Sequence, residues 1–367
     1  MTAPAASGTS SGSSRLRAQF EEAVLPAVVA LLIAALVGDV LIITYGQSPG
    51  AVYRLLIEGT WGNAYGLGQV LYKTTTLTFT GLSVAIGLRA GLFNIGAESQ
   101  LAAGGFLAGV VGTLLPTGIP ALAVLPLFIL AAAVGGGLVG GAAGVLKAKW
   151  GAHEVITTIM LNFIVLALLN YLTVAHFKVF DTLHTADIRS GAIARLSAVL
   201  PAFHGSAANL VLLLALATVA VTWWYLFRSR AGYELRAAGL QPAAAEYGGV
   251  NVATIWWKAM LISGAVAGIG GLNFVLGYKH YYEDGFSTGA GFLGIAVAIV
   301  GRNNPIGVFL AALLFGTLSQ GGLAVNALVP KQMVDVLQAV VIIAVVTSVP
   351  EVRRLLRSVR AHGGPDT

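Results

Sequence analysis

Asn94, Glu98, Ser99 and Gln100 stand together in "GLRAGLFNIGAESQLAAGGFLAG", residues 87–109, within a region that is otherwise apolar. One carboxylate and two amides in that setting can hydrogen-bond a polar solute, relay a proton or satisfy one another. At membrane depth they are costly unless they face a cavity or a partner, so the cluster reads as functional. Gly91 and Gly96 let the backbone leave the helix there, which is tolerated at depth only inside protein or beside a water-filled path. The competing reading sets Glu98 at the inner interface, near a helix start that favours negative charge. The sequence leaves these two readings in balance.

A second segment, "RSRAGYELRAAGLQPAAAEYGGVN" at 228–251, is polar but patterned. Tyr233, Ala237, Leu240, Ala244 and Tyr247 recur at helical spacing, while Glu234, Arg236 and Glu246 lie off that stripe. Pro242 suits the first residue of a second short helix, and Gly248-Gly249 suits its end. The spacing predicts two short surface helices joined near Gly239, an amphipathic element fit to dock in a groove of a soluble partner. A helix lying among lipid headgroups would carry more Lys, Arg and Leu than this stripe does. Residues 176–207 offer His176, His184, His204, Asp181 and Asp187 without a compact ligand spacing, so no metal site is predicted. No phosphate-binding loop of the Gly-x-x-x-x-Gly-Lys-Ser/Thr type and no Gly-x-Ser-x-Gly elbow occurs, and the chain has no Cys. Catalytic residues are therefore not expected, and any nucleotide hydrolysis belongs to another chain.

The elements that carry these residues follow from composition. Only 10% of the 367 residues are charged and 57% are apolar, against about a quarter charged in soluble domains. That excludes a water-soluble enzyme and makes lipid the solvent. Reading for runs of roughly 20 apolar residues predicts an all-α polytopic membrane protein of about ten transmembrane helices: 24–45, 69–88, 97–115, 119–146, 153–175, 208–227, 254–277, 288–301, 305–322 and 332–349. The second carries Lys73 and a run of Thr, the eighth is short, and the fourth is over-long, with Pro120 and Pro126 as points where it could bend. Gly136, Gly140 and Gly144 in the fourth span, and Gly264 and Gly268 in the seventh, read as close helix packing in preference to a pore.

With both termini inside, fourteen Lys and Arg fall on the inner side and seven on the outer, the bias expected of cytoplasmic loops. Five of six Trp (Trp150, Trp223, Trp224, Trp256 and Trp257) fall at inner span ends. The net charge of +6 is thus a topology signal, and a nucleic-acid partner is not expected. The organisation read from the sequence is a disordered tail at 1–20, a permeating domain at 21–350 with the short helices at 231–248, and a basic tail at 351–367. Glu21 and Glu22 separate Arg15 and Arg17 from the first span, which reads as uncleaved.

These blocks, with "AHEVITTIMLNFI", "LRAAGLQPAAAEYGGVNV" and "GFLGIAVAIVGRNNPIGVFLAALLFGTLSQGG", resemble the permease subunits of bacterial ATP-binding-cassette importers over roughly residues 20–350. The likeness is to the nucleoside branch served by basic-membrane-protein-type lipoproteins, and more distantly to simple-sugar permeases. Ser99 departs from the Gly expected in "NIGAEGQ". The resemblance implies a multi-pass protein of the bacterial inner membrane working with two ATPase subunits that bind the ATP, a second and related permease chain, and an external binding lipoprotein. No cofactor of its own is implied. It places an ATPase-coupling segment at Gly232, Glu234, Arg236, Ala237, Gly239, Ala244 and Gly248. It also makes the blocks around Asn94 and Ile295 equivalent parts of two internal repeats. Under alternating access, the candidates for the substrate path are Phe93, Asn94, Glu98, Gln100, Asn162, Asn273 and Phe274, since amides and rings suit a base and ribose hydroxyls. Two alternatives stand beside this: a ribose-type sugar permease, and an ion-coupled carrier using Glu98, Asp39, Lys73, Glu154 and Asp335.

Overall fold

In hydrocarbon every backbone N–H and C=O must be satisfied within the protein, and helices do this segment by segment. The computed structural model describes residues 28–345 and Thr347, apart from Ala30 and Lys331. Both predicted tails, 1–20 and 351–367, lie outside the described residues. The chain order is α1 (Leu31–Thr44), α2 (Pro49–Thr60), α3 (Ala64–Arg89), α4 (Ala97–Leu114), α5 (Ala121–Trp150), α6 (Glu154–Leu172), α7 (Val211–Arg228), α8 (Arg230–Leu240), α9 (Pro242–Tyr247), α10 (Val252–Gly270), α11 (Leu272–Val275), α12 (Ala290–Val300), α13 (Pro305–Ala324) and α14 (Gln332–Val345). Among the described residues β-structure is limited to isolated bridges such as Lys178 with Thr185 and Arg195 with Asn209.

A helix stands in each predicted span. Five of them, α5, α6 continued to Phe177, α7, α10 continued through α11, and α13 continued to Ala327, are long and apolar enough to cross a membrane. The described residues form two units, those up to Val52 together with those from Leu328 onward, and Tyr53–Ala327. The first contains α1 and α14, with Leu32, Leu36, Val40 and Ile43 of α1 exposed. The second holds α3 to α13 and every candidate residue discussed below.

Small residues set the helix spacing in this second unit. Gly136, Gly140 and Gly144 of α5 face Met260, Gly264 and Gly268 of α10. A methyl group on Gly136 would run into the Gly264 carbonyl, and one on Gly140 into the Met260 carbonyl. The two glycine series therefore meet each other, backbone against backbone, as small-residue interfaces do. Gly104 of α4 closes on Gly268 in the same way.

Helix α3 is held differently. Thr74, Thr75, Thr78 and Thr80 are buried, and the run that weakened the second predicted span supplies its own solution. Thr75 and Thr78 donate to the carbonyls of Leu71 and Thr74, and Thr80 donates across to Ala290 O at 3.1 Å. Lys73 reaches Ser319, with Nζ 3.1 Å from its carbonyl. A threonine that back-bonds its own helix leaves no polar group unpaired in the interior.

Candidate functional site

The loop between α3 and α4 keeps backbone bonds to α3 only as far as Leu92 N, and beyond it side chains of the loop and of other helices satisfy the backbone. Asn94 and Gln100 pair reciprocally: Asn94 Nδ2 donates to Gln100 Oε1 at 2.8 Å and Gln100 Nε2 donates to Asn94 Oδ1 at 3.0 Å. Asn94 Oδ1 also accepts from Gly96 N, and Asn94 Nδ2 reaches Ser263 Oγ of α10 at 2.7 Å. Ser263 Oγ lies 3.0 Å from Ser83 Oγ of α3 and donates to the Ser83 carbonyl at 2.6 Å.

Helix α6 closes the other side. Asn162 Nδ2 donates to Ile95 O at 2.9 Å, Asn162 Oδ1 accepts from Ser99 N at 3.1 Å, and Thr158 Oγ1 accepts from Ile95 N. Ser99 donates to the Gly96 carbonyl, a bond that Gly at this position could not make. Among the described residues this is a fully paired polar network in the interior, the arrangement in which buried amides rigidify a core instead of weakening it.

Glu98 has a separate task. It lies in the first turn of α4 and is 3% exposed, yet its carboxylate points to a different helix. Oε1 accepts from Gly289 N at 3.0 Å and Oε2 from Gly291 N at 2.7 Å, so Glu98 caps the N-terminus of α12. The free N–H groups and the positive end of the helix dipole converge on the carboxylate and offset part of the cost of burying it. Gly289 supplies the left-handed turn (φ 82°), and Gly291 leaves room for the α4 backbone, against which any side chain would collide.

Asn273 belongs to a third place, in α11. Its Nδ2 donates to Tyr72 O at 2.9 Å and Thr76 Oγ1 at 2.8 Å, while its Oδ1 accepts from Asn209 at 2.9 Å. The neighbouring Phe274 is half-buried and stacks on Phe286, with ring centroids 4.8 Å apart. Phe93 is half-buried in the α3–α4 loop. The structure thus gathers Asn94, Gln100 and Asn162, sets Glu98 beside α12, and holds Asn273 with Phe274 apart from both. Reading the sequence missed Ser83, Thr158, Asn209 and Ser263, which complete these networks. Their only signal was an isolated hydroxyl or amide in or beside an apolar run.

Helices α8 and α9 are the two short helices expected. Ser229 caps α8 by accepting from Gly232 N at 3.0 Å, Pro242 opens α9, and Gly249 (φ 84°) ends it. Ala238, Ala245 and Val252 pack inward with Trp256. The patterned stripe faces outward, with Tyr233 65%, Leu240 85% and Tyr247 98% exposed. Gly232 is buried under Leu226, Glu234 pairs with Arg230 at 2.9 Å, Ala237 and Arg236 are half-buried, and Ala244 and Gly248 are exposed. Gly239 rests on the backbone of residues 89–91.

The connection at 176–207 uses its histidines separately. His184 stacks on Tyr281 at 4.2 Å, and His176 packs edge-on to Tyr171 and Phe177. Among the described residues no cluster of His, Asp and Glu could hold a metal ion.

Known proteins share this sequence nearly end to end. The guanosine ABC transporter permease protein NupP of Bacillus subtilis is 36% identical over 88% of this chain and 92% of its own. The nucleoside ABC transporter permease protein NupB of Lactococcus lactis is 32% identical over 87% and 89%. The glucose ABC transporter permease protein TsgB13 of Haloferax volcanii is 33% identical over 88% and 86%. No solved structure matches. Residues 66–346 match the family described as branched-chain amino acid transport system / permease component. Matched by the family model over residues 66–346 and by relatives over about nine-tenths of its length, the chain belongs to that family of ABC transporter permeases.

Proposed function

We propose that this chain is one of two related permease subunits of an ATP-driven importer that carries nucleosides inward by alternating access. Permeases of this family act with ATPase subunits and a substrate-binding protein. In the proposed assembly the ATPases bind the ATP and dock on α8 and α9, and an external lipoprotein delivers the substrate. The observation that carries the nucleoside reading is similarity over about nine-tenths of the chain to permeases named for guanosine and for nucleosides. The glucose permease of Haloferax, at comparable identity, makes a sugar the second reading.

The exposed apolar stripe of Tyr233, Leu240 and Tyr247 supports docking, because such a surface on a polar helix pair is best explained by a partner that covers it. A self-contained ion-coupled carrier gains nothing from it. Three charges such a carrier would use already have partners: Glu98 on α12, Lys73 on Ser319, and Glu154 with Lys147 at 2.9 Å. The proposed path runs by Phe93, Asn94, Glu98, Gln100, Asn162, Asn273 and Phe274. Half-buried Phe93 and Phe274 offer ring surface to a base, and the amides become available when their mutual bonds exchange during the cycle. Topology with both termini inside belongs to the same proposal.

The test is uptake of labelled nucleoside and labelled glucose into vesicles holding the permease pair, the ATPase and the lipoprotein. Replacing the ATPase's catalytic carboxylate abolishes uptake on this reading, and unchanged uptake overturns it. Glucose uptake without nucleoside uptake would select the sugar alternative. Leu240→Ser with Tyr247→Ser lowers ATPase co-purification about tenfold or more, from roughly 1.5–3 kcal/mol for each large apolar side chain buried at a contact.

A further inference from the structure

We propose that Arg89 and the turn at 89–91 are the contact through which α8 and α9 act on the buried polar network; this rests on reading α8 and α9 as the ATPase-docking element. The first support is steric. Gly239 of α8 lies against the turn so closely that a methyl group on it would collide with the Arg89 carbonyl and come within 2.8 Å of Ala90 C and Gly91 N. From the other side, a methyl on Gly91 (φ 75°) would meet Gly239 Cα and O at 3.1 Å. Ala90 and Leu92 beside it are fully buried, and Leu92 packs with Ala143 and Met260. Backbone therefore meets backbone, with no rotamer to absorb a push, and close-packed interiors pass such displacement on. Two residues beyond Leu92 is Asn94, the hub of the network.

The second support is the reach of the Arg89 side chain. Its guanidinium lies over the Phe227 ring of α7 at 5.4 Å, and Arg236 of α8 lies over the same ring at 5.3 Å. Arg89 Nε donates to Asn303 O at 2.9 Å and Nη2 to Arg302 O at 3.4 Å. Arg302 and Asn303 both hold left-handed backbone (φ 55° and 53°), a conformation that non-glycine residues keep only when their surroundings fix it. That turn ends α12, the helix whose other end Glu98 caps. A closed mechanical circuit results: α8, the 89–91 turn, the loop with Asn94, Glu98 in the first turn of α4, α12, the 302–303 turn, and back to Arg89. The planar, five-donor fork of arginine is what lets one side chain serve a ring and two carbonyls together. Arg89 is a positioning residue in this scheme and touches no substrate.

The experiment compares Arg89→Met, Arg89→Lys and Gly239→Ala in the complete complex, with three readouts: ATPase co-purification, ATP hydrolysis, and substrate imported per ATP hydrolysed. Arg89→Met is expected to keep association and hydrolysis within about twofold while import per ATP falls about tenfold, the loss expected from deleting hydrogen bonds to a charged group. Arg89→Lys keeps the cation on Phe227 and recovers part of that loss; Gly239→Ala, which forces α8 off the 89–91 turn, is expected to lower import per ATP as well. Wild-type import per ATP in Arg89→Met overturns the proposal. If that variant does not accumulate as folded protein, wild-type import per ATP in Gly239→Ala overturns it. Loss of association together with import in Arg89→Met also overturns it, because the contact would then serve docking alone. Failure of the underlying reading looks different: the unaltered permease would still import with a catalytically dead ATPase.

Discussion

Gly140 and Gly141 are chain neighbours on α5 with opposite surroundings, so the same substitution at each should give opposite results. A methyl on Gly140 meets the Met260 carbonyl, and beyond it Gly264 Cα at 3.0 Å, so α5 and α10 must separate to admit it. Forcing a methyl into a well-packed interface costs about 1–3 kcal/mol, offset in part by the roughly 1 kcal/mol that alanine gains over glycine in a helix. A methyl on Gly141 sits 3.5 Å from Leu261 Cδ1, ordinary contact distance. That side of α5 opens on an apolar groove of about 540 Å³ with Gly137, Val145, Trp150 and Trp257 on its walls. Gly141→Ala should therefore stabilise by about 0.4–1 kcal/mol, through the unfolded chain's lost freedom. Because membrane proteins commonly unfold irreversibly, the measurement is inactivation half-life of the detergent-solubilised protein at fixed temperature, followed by size-exclusion chromatography. A separation of about 1.4 kcal/mol corresponds to roughly a tenfold ratio of rates. Half-lives within twofold of each other, or Gly140→Ala outlasting Gly141→Ala, would refute the packing argument.

The α12 cap gives a graded series. Glu98→Gln can accept only one of the two N–H bonds and loses the charge, a cost of about 2–4 kcal/mol; Glu98→Ala leaves both N–H groups unpaired and costs more. Thermal inactivation should rank wild type above Gln above Ala, and an Ala variant as durable as wild type would exclude the cap as a stabilising element. His280 gives a pH effect. Burial, and then Arg195, hold its imidazole below its ordinary pKa of 6.5, although Asp187 and a backbone bond pull the other way. The fold therefore disfavours the protonated ring: its stability is intact above pH about 6.5 and declines as pH falls through that value. Proteolysis of the 178–195 connection, which is tied to this loop by Ile188 N donating to His280 O at 2.7 Å, should quicken between pH 7.5 and 5. In His280→Gln that acceleration should vanish.

What the sequence made legible was local. The break at Gln241 between α8 and α9 follows from Pro242 and the closing Gly248-Gly249, whose conformational demands are independent of the rest of the chain. The helical positions of the spans follow from apolar run length. The meeting of Gly136 with Gly264 and Gly268 was anticipated as close packing, although no spacing rule names the partner. The polar network was visible as Asn94, Glu98 and Gln100 but not as a network, because Ser83 and Ser263 are single hydroxyls in apolar runs, 180 residues apart. Glu98 shows the limit most clearly. Its place at a helix start could be read, but the helix whose N–H groups it satisfies begins nearly two hundred residues later. The eighth span is as short as its sequence reads, 11 residues in α12, while the carboxylate from α4 that closes its start could not be read.

The order in which the chain is made also matters for the α3–α4 loop. Ile95 N and Ser99 N depend on Thr158 and Asn162, 63 residues downstream, and Asn94 depends on Ser263, 169 residues downstream. At about 5–20 residues per second, Ser263 leaves the ribosome on the order of ten to thirty seconds after Asn94. Until α6 and α10 are made, Ile95 N, Ser99 N and part of Asn94 lack these partners, so settling of this stretch into hydrocarbon is expected to wait for both helices. Truncation before α10 should then leave the α3–α4 loop without a stable place in the bilayer.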